Sequence, residues 1–254
     1  MSTFRKERPD APAGSFEAEA AGLRWLAEAA AQGGADVVLV HGAGPAWIAL
    51  DRLAPVRPTA DAARAFGAAL ARTHAAGAPA FGWAPGTGPW YIGRQELACT
   101  PSDSWGAFYA EQRVLPYARR ARDRGHLGAD GLAVVELACA RVASGALDDD
   151  EPPARLHGDL WNGNVVWTRT GVVLIDPAAH GGHRETDLAM LQLFGLPELD
   201  QVLAGYEAEA PLRPGWRRRV PLHQLHPLAV HAASHGASYG APLVAAAQST
   251  LDLG

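Results

Sequence analysis

Residues 155–187, RLHGDLWNGNVVWTRTGVVLIDPAAHGGHRETD, leave the chain few ways to fold. Two short apolar runs, Val165–Trp167 and Val172–Ile175, flank Thr-Arg-Thr-Gly, the pattern of a β-hairpin with a longer loop. Pairing around that loop predicts Asn164, at the start of one strand, opposite Asp176, at the end of the other. Facing strand residues hold their Cβ atoms about 5 Å apart. A side-chain carbonyl and a carboxylate at that separation suit a hard divalent cation such as Mg2+, which takes oxygen ligands. Asp159 lies just upstream in a loop bounded by Gly158 and Gly163, free to point at whatever the metal holds. The spacing describes a metal site with a separate carboxylate beside it.

The run His157-Gly158-Asp159-Leu160-Trp161-Asn162-Gly163-Asn164, followed by Ile175-Asp176-Pro177, resembles the catalytic segment of the protein-kinase-like fold. HGD in place of HRD, and DP in place of DFG, is similar to the aminoglycoside and choline kinase relatives. The full string HGDLWNGN…DPA…G-x-R-E-x-D-L-A-M, with Ser104–Arg113 (SWGAFYAEQR), resembles the fructosamine kinase (ketosamine 3-kinase) family. The likeness runs from about Thr3 to the C-terminus.

That resemblance implies an α+β, protein-kinase-like, two-lobe fold. Residues 1–53 would form a small, N-terminally shortened nucleotide-binding lobe plus hinge. Residues 54–254 would form a larger, mostly helical lobe with the catalytic loop and acceptor site. It implies ATP between the lobes, Mg2+ on Asn164 and Asp176, and Asp159 as the base. Adenine would bond at the Asp51 carbonyl and the Leu53 N–H. Trp161, an exposed indole in the loop, either stacks on the acceptor or wedges the loop. Glu185 is a candidate acceptor contact, although a carboxylate at a helix N-terminus is favourable in its own right. His157 supports the loop, and Asp187 matches an Asp that braces it. The implied acceptor is a small-molecule or protein-bound glycated amine, phosphorylated at the sugar 3-hydroxyl. The residues alone reach only a kinase for a small hydroxylated acceptor. An aminoglycoside- or choline-type phosphotransferase and a non-catalytic nucleotide-binding protein stay open.

At the N-terminus, Ser2–Lys6 reads as a strand and Ser15 as the N-cap of a helix. Phe16, Ala20, Leu23 and Leu26 mark its buried stripe, and Glu19 lies on that stripe. An inward carboxylate needs a cation. Lys6 is the expected partner, as in the kinase Lys–Glu pair whose Lys reaches the phosphates. Kinase-like lobes place two strands and a phosphate-covering loop before that Lys, but only five residues precede Lys6. Gly42-Ala43-Gly44 reads as a turn linking Val37–Val40 to Trp47–Leu50, not as a substitute. Either the start lies further upstream or the kinase is truncated and impaired.

Thr59 is placed to cap a helix over 60–75, and 77–103 reads as a long irregular stretch, a candidate substrate wall. Helices are predicted over 104–124 and 128–144. Arg119, Arg120, Arg122 and Arg124 read as a solvated face, Asp148–Glu151 as a charged loop, and Arg217–Arg219 as a surface patch with one arginine near an anionic product. Of His223, His226, His231 and His235, only the last two have helical i, i+4 spacing, and no acidic or Cys ligand accompanies them, which disfavours metal. A net charge of −5 without a basic face argues against nucleic acid. No apolar run approaches the roughly 18 residues of a membrane span, and MSTFRKERPD has no signal-peptide apolar region. Two distant cysteines, Cys99 and Cys139, suit a reducing compartment, hence the cytoplasm. Oligomeric state is not fixed by these features.

Overall fold

A computed structural model describes residues 2–253. Strand β1 (Thr3–Glu7) leads into helix α1 (Ser15–Ala27). Ser15 is not the cap: it is the first helical residue, and Gly14 precedes it in the left-handed region (φ 81°) with no side-chain cap. Three short strands follow, β2 (Asp36–Val37), β3 (Val40–Gly44) and β4 (Trp47–Asp51). The strand expected at 37–40 is therefore divided. Val37 ends β2, which leaves for another sheet, and Val40 begins β3. Gly42–Gly44 lie inside β3 rather than forming the turn, which falls at Pro45–Ala46. The sheet order is β1-β4-β3, all antiparallel. Ile48 and Leu50 of β4 bury one face against Phe16, Ala20 and Leu23 of α1. Each such side chain contributes about 1.5–3 kcal/mol.

Helix α2 (Ala60–Ala75) starts where predicted, with Thr59 Oγ1 accepting the Ala62 N–H at 3.3 Å. The irregular stretch after it carries a two-residue pair, β5 (Tyr91–Ile92) and β6 (Gln95–Glu96). The helix expected over 104–124 is interrupted: α3 (Trp105–Phe108) passes through a π-helical turn (Tyr109–Val114) into α4 (Leu115–Asp123). Pro116 explains the break, because it has no N–H for the Gln112 carbonyl. The Leu115 N–H reaches back five residues to the Ala110 carbonyl, and Arg113 Nη1 donates to the freed Gln112 oxygen at 3.4 Å.

The remaining elements are α5 (Ala129–Ala143), β7 (Ala154–Leu156), β8 (Val165–Thr168), β9 (Gly171–Leu174), β10 (His180–Gly182), α6 (Arg184–Leu193), α7 (Leu199–Glu209), α8 (Trp216–His235) and α9 (Gly240–Leu251). One apolar core lies among α4, α5, α8 and α9, a second among α2, the β8–β9 hairpin, α6 and α7. α2 and α7 approach to backbone contact through two glycines. A Cβ on Gly67 would lie 1.9 Å from the Val202 oxygen, and one on Gly205 would lie 2.0 Å from the Arg64 oxygen. The architecture is α+β: a small sheet with one helix, set on a larger helical body. β2 ties the two, pairing parallel with β9 (Asp36 with Val173, Val37 with Leu174). Among the described residues no helix is long and apolar enough to cross a membrane.

Candidate active site

The β8–β9 register pairs Val165 with Leu174, so Asn164 faces Ile175, whose N–H donates to the Asn164 oxygen at 3.1 Å. Asp176 lies one residue beyond the facing position predicted from the sequence. The turn is tighter than expected, since Thr168 pairs with Gly171 and only Arg169 and Thr170 remain outside the ladder. The side chains still converge. Asp176 takes a left-handed backbone (φ 51°), a conformation that costs a non-glycine residue of order 1–3 kcal/mol and clusters at functional sites. Asn164 Nδ2 donates to the Asp159 carbonyl at 2.8 Å, to Asp159 Oδ2 at 3.2 Å and to the Asp176 carbonyl at 3.3 Å. That leaves Asn164 Oδ1 and the Asp176 carboxylate as the oxygen donors, the set Mg2+ takes.

Asp159, Asn164 and Asp176 share a cavity of about 250 Å³ with Lys6, Glu19 and Trp90. Lys6 Nζ donates to Glu19 Oε2 at 3.1 Å and Oε1 at 3.3 Å, the pair expected from the sequence, and lies 3.1 Å from Asp176 Oδ2. Burial, then the Asp176 charge, push the Glu19 carboxyl up to about 7 despite Lys6. Burial also raises Asp159 to about 7; the Asn164 hydrogen bond opposes this, while Asp176 and Asp187 add to it. A carboxylate in that range suits proton exchange near neutral pH.

The loop around Asp159 is held from beneath. Asp187, buried at the start of α6, accepts the His157 N–H at 2.8 Å and the Gly158 N–H at 3.0 Å. Burial alone would raise Asp187, but His74, His157 and the His157 amide hold it below the usual carboxylate range. His157 Nε2 donates to the Ile175 carbonyl at 2.9 Å, and its Nδ1 accepts the Asp159 N–H at 3.3 Å. Burial lowers its pKa, and both ring nitrogens are occupied by backbone groups. Gly158 is required: φ is 80°, and a Cβ would lie 2.2 Å from the Ala178 oxygen. Trp161, 40% exposed, packs edge-on to Phe194 at 6.2 Å while still lining the cavity.

Asp159 and Trp161 also open onto a second, larger groove of about 800 Å³, bordered by Ile92, Arg124, Phe194 and His231. The stretch 77–103 thus walls both spaces, through Trp90, Tyr91 and Ile92. Trp83 instead packs on Trp25 at 5.2 Å. Asp51 and Leu53 line neither space but a separate depression with Val37 and Thr168. The Asp51 side chain is bonded to His41 at 2.7 Å.

Glu185 is not the acceptor contact expected from the sequence. It is buried and lines neither space, because Arg219 Nε donates to its Oε2 at 3.0 Å and Arg219 Nη2 to its Oε1. Arg219 is accordingly no product-binding surface residue. His183, Glu185 and His223 bring ligand atoms within 4.8 Å of one another. Arg219 already holds both Glu185 oxygens, which disfavours a cation there. Nor is the Asp148–Glu151 loop simply solvated: Asp149 meets His183 at 3.1 Å and Glu151 meets Arg184 at 2.6 Å. The solvated arginine face is partly engaged, with Arg119 on Glu136 and Arg120 Nη1 on Gln95. Sequence reasoning missed His74 and Tyr206. His74 Nε2 meets Asp187 Oδ2 at 3.2 Å and its Nδ1 meets the Tyr206 hydroxyl at 2.8 Å. The signal was present, since His74 follows Leu70 by four residues on the apolar face of α2.

A small sheet lobe and a helical body, with Lys–Glu, Asp and Asn–Asp elements around one cavity, define the protein-kinase-like phosphotransferase class. An aminoglycoside phosphotransferase of 15% identity, covered over 84% of its chain and covering 92% of this one, shares that fold with a TM-score of 0.60. Residues 2–252 match the fructosamine kinase family, and the chain belongs to it. The Enterococcus faecium protein named a probable ketoamine kinase is 32% identical over 240 residues, 93% of this chain and 83% of that protein. A Thermobifida fusca structure assigned as a fructosamine-3-kinase is 50% identical with a TM-score of 0.91, covering 99% of this chain and 86% of that one.

Proposed function

We propose that this protein transfers the γ-phosphoryl group of ATP to the sugar 3-hydroxyl of a ketosamine, free or protein-bound. Asp159 carries the reading. It stands at the junction of two spaces, one holding Lys6, Glu19, Asn164 and Asp176, the other free for an acceptor. In this assignment Lys6, oriented by Glu19, binds the phosphates, and the Asp51 carbonyl and Leu53 N–H, which border a depression separate from the Lys6 cavity, would bond the adenine. Mg2+ held by Asn164 Oδ1 and the Asp176 carboxylate would neutralise charge on the transferring phosphoryl group. Asp159 orients the acceptor hydroxyl and takes its proton as the new oxygen–phosphorus bond forms and the bond to the ADP oxygen breaks. Asp187 and His157 keep the loop in place. Positioning and charge neutralisation supply most of the acceleration in such transfers.

The acceptor groove supports a ketosamine over an aminoglycoside, because Asp159 is its one carboxylate while Arg94, Arg124, His231 and His235 also border it. A polycation finds little complementarity there. The free cysteines fit a reducing cytoplasm. An ADP-release assay with fructosamine and ribulosamine adducts tests the reading, with 31P NMR locating the new phosphate on O3. Turnover of aminoglycosides in place of ketosamines would overturn the acceptor. A melting temperature raised by MgATP, with no acceptor phosphorylated, would identify a nucleotide-binding protein instead.

A further inference from the structure

The far end of the acceptor groove is built from the C-terminal turn of α8 and the residue that closes it. Arg124, just past the end of α4, donates through Nη1 to the Ala233 carbonyl. That contact fixes the guanidinium beside His231, Ser234, His235 and Tyr239 along the groove wall. Among the described residues Arg124 has no carboxylate within ion-pair distance, and its Nε and Nη2 have no hydrogen-bond partner. The other arginine bordering the groove differs: Arg94 Nη1 is matched by Asp10 Oδ2 at 2.9 Å. Arg120 lies behind the wall, bonded to Gln95 Oε1 at 2.6 Å. His231 Nδ1 donates to the Pro227 carbonyl at 2.7 Å, and its ring stacks on His235 with centroids 4.9 Å apart.

The groove lining is therefore mixed in charge. The loop side supplies the Asp159 carboxylate and the Trp161 face, and the α8 end supplies the exposed Arg124 guanidinium among hydroxyl and imidazole groups. We infer that this end is an anion subsite, and that the preferred acceptors are ketosamines carrying a second, anionic group that reaches Arg124. The inference rests on the ketosamine reading and deepens it. Two sources would supply the charge: the carboxylate of a glycated amino acid, or a phosphate on the sugar. The same ligand's ammonium, one positive charge, would face Asp159 and Trp161, where carboxylate and aromatic face both attract a cation.

The experiment compares N-fructosylglycine with N-fructosylglycinamide, and the glycinamide adduct with its 6-phosphate. At least one anionic acceptor should show kcat/KM about tenfold above its neutral counterpart, a difference equivalent to about 1.4 kcal/mol. The gain should lie in KM with kcat little changed, as for binding shared by ground and transition states. Which anion is favoured identifies the source. In Arg124→Gln, whose amide can still cap Ala233, the ratio should fall towards one, while Arg124→Lys should retain part of it. Ratios near one for both anions in the parent protein, or a ratio unchanged in a folded Arg124→Gln protein, would overturn the subsite. Calorimetric binding of the same adducts separates this inference from the catalytic one. Selective binding without phosphorylation would leave the anion subsite standing and remove the kinase reading. Phosphorylation without selectivity would do the reverse.

Discussion

Asp159 is held in a place that costs stability. Its carboxyl is raised to about 7, chiefly by burial, with Asp176 and Asp187 adding to the effect. A group whose folded pKa lies above its unfolded value favours folding most at low pH. That contribution is complete below the reference value of 3.8 and is lost as pH rises through about 7. Asp159→Asn keeps the shape and the oxygen that meets Asn164 but removes the charge. It should abolish phosphoryl transfer, leave ATP affinity intact, and raise stability at pH 8 by about 1–2 kcal/mol, a few degrees in Tm. The gain should vanish as pH falls towards 4. Thermal melts of both proteins across that range check it; a variant no more stable at pH 8 would show that the site tolerates the charge. Asp176→Ala has a different signature. Lys6 keeps Glu19 as partner, so the fold should survive, while MgATP affinity falls at least about tenfold by titration calorimetry. Unchanged affinity would contradict the metal assignment.

The Asp159 loop stays in register because α6 places a carboxylate under it, and that part of the site is legible in the sequence. The hairpin pattern and the Asp-x-x-x-x-Asn spacing locate the loop in the sequence, and the family resemblance ties Asp187 to it. The register was misjudged by one because Thr-Arg-Thr-Gly serves equally as a four-residue loop or as a two-residue turn between paired Thr168 and Gly171. Threonine is at home in both settings. Glu185 was misplaced for a less local reason. Its partners, Arg219 and His223, lie over thirty residues away on α8, and no periodicity within α6 reveals them. Removing the brace has a predictable cost. Asp187→Ala strands two buried amides and leaves His74 without its carboxylate, a loss of about 3 kcal/mol. Because the Asp187 pKa is held down, its contribution is present above the ordinary carboxylate range and fades as pH drops through the folded value. The deficit measured by urea unfolding should therefore be large at pH 7 and shrink in acid. A pH-independent deficit would mean that lost packing, not the carboxylate, carries the effect.

The sheet-bearing part of the described residues has a small core and leans on the helical body. Its core is Phe16, Ala20, Leu23, Val38, Ile48 and Leu50, and units of about fifty residues bury only a modest share of their surface. Its stability must come from the helical body, and the ties are specific. β2 extends the β8–β9 sheet, the Val38 N–H donates to the Leu174 carbonyl at 3.0 Å, and the Val56 N–H donates to the Trp167 carbonyl at 2.8 Å. Arg155 adds a charged clasp: its guanidinium lies 4.6 Å from the Trp25 ring centroid, bonds the Trp25 carbonyl, and meets Glu28 at 3.2 Å. The backbone ties share the hairpin flanked by Asn164 and Asp176, and the Arg155 clasp on β7 holds the end of α1, the helix that carries Glu19, so loosening the junction also disturbs the site. The expectation is a single cooperative endotherm in scanning calorimetry, displaced upward as one transition by MgATP. At 100 times Kd the ligand adds about 2.7 kcal/mol. Arg155→Ala removes the clasp but leaves the β2–β9 ladder, so it should lower that single transition by about 1–2 kcal/mol and weaken MgATP binding without splitting the peak. Two resolved endotherms in the parent protein would show that the halves fold independently, and that the strand pairing across them carries little of the coupling assigned to it.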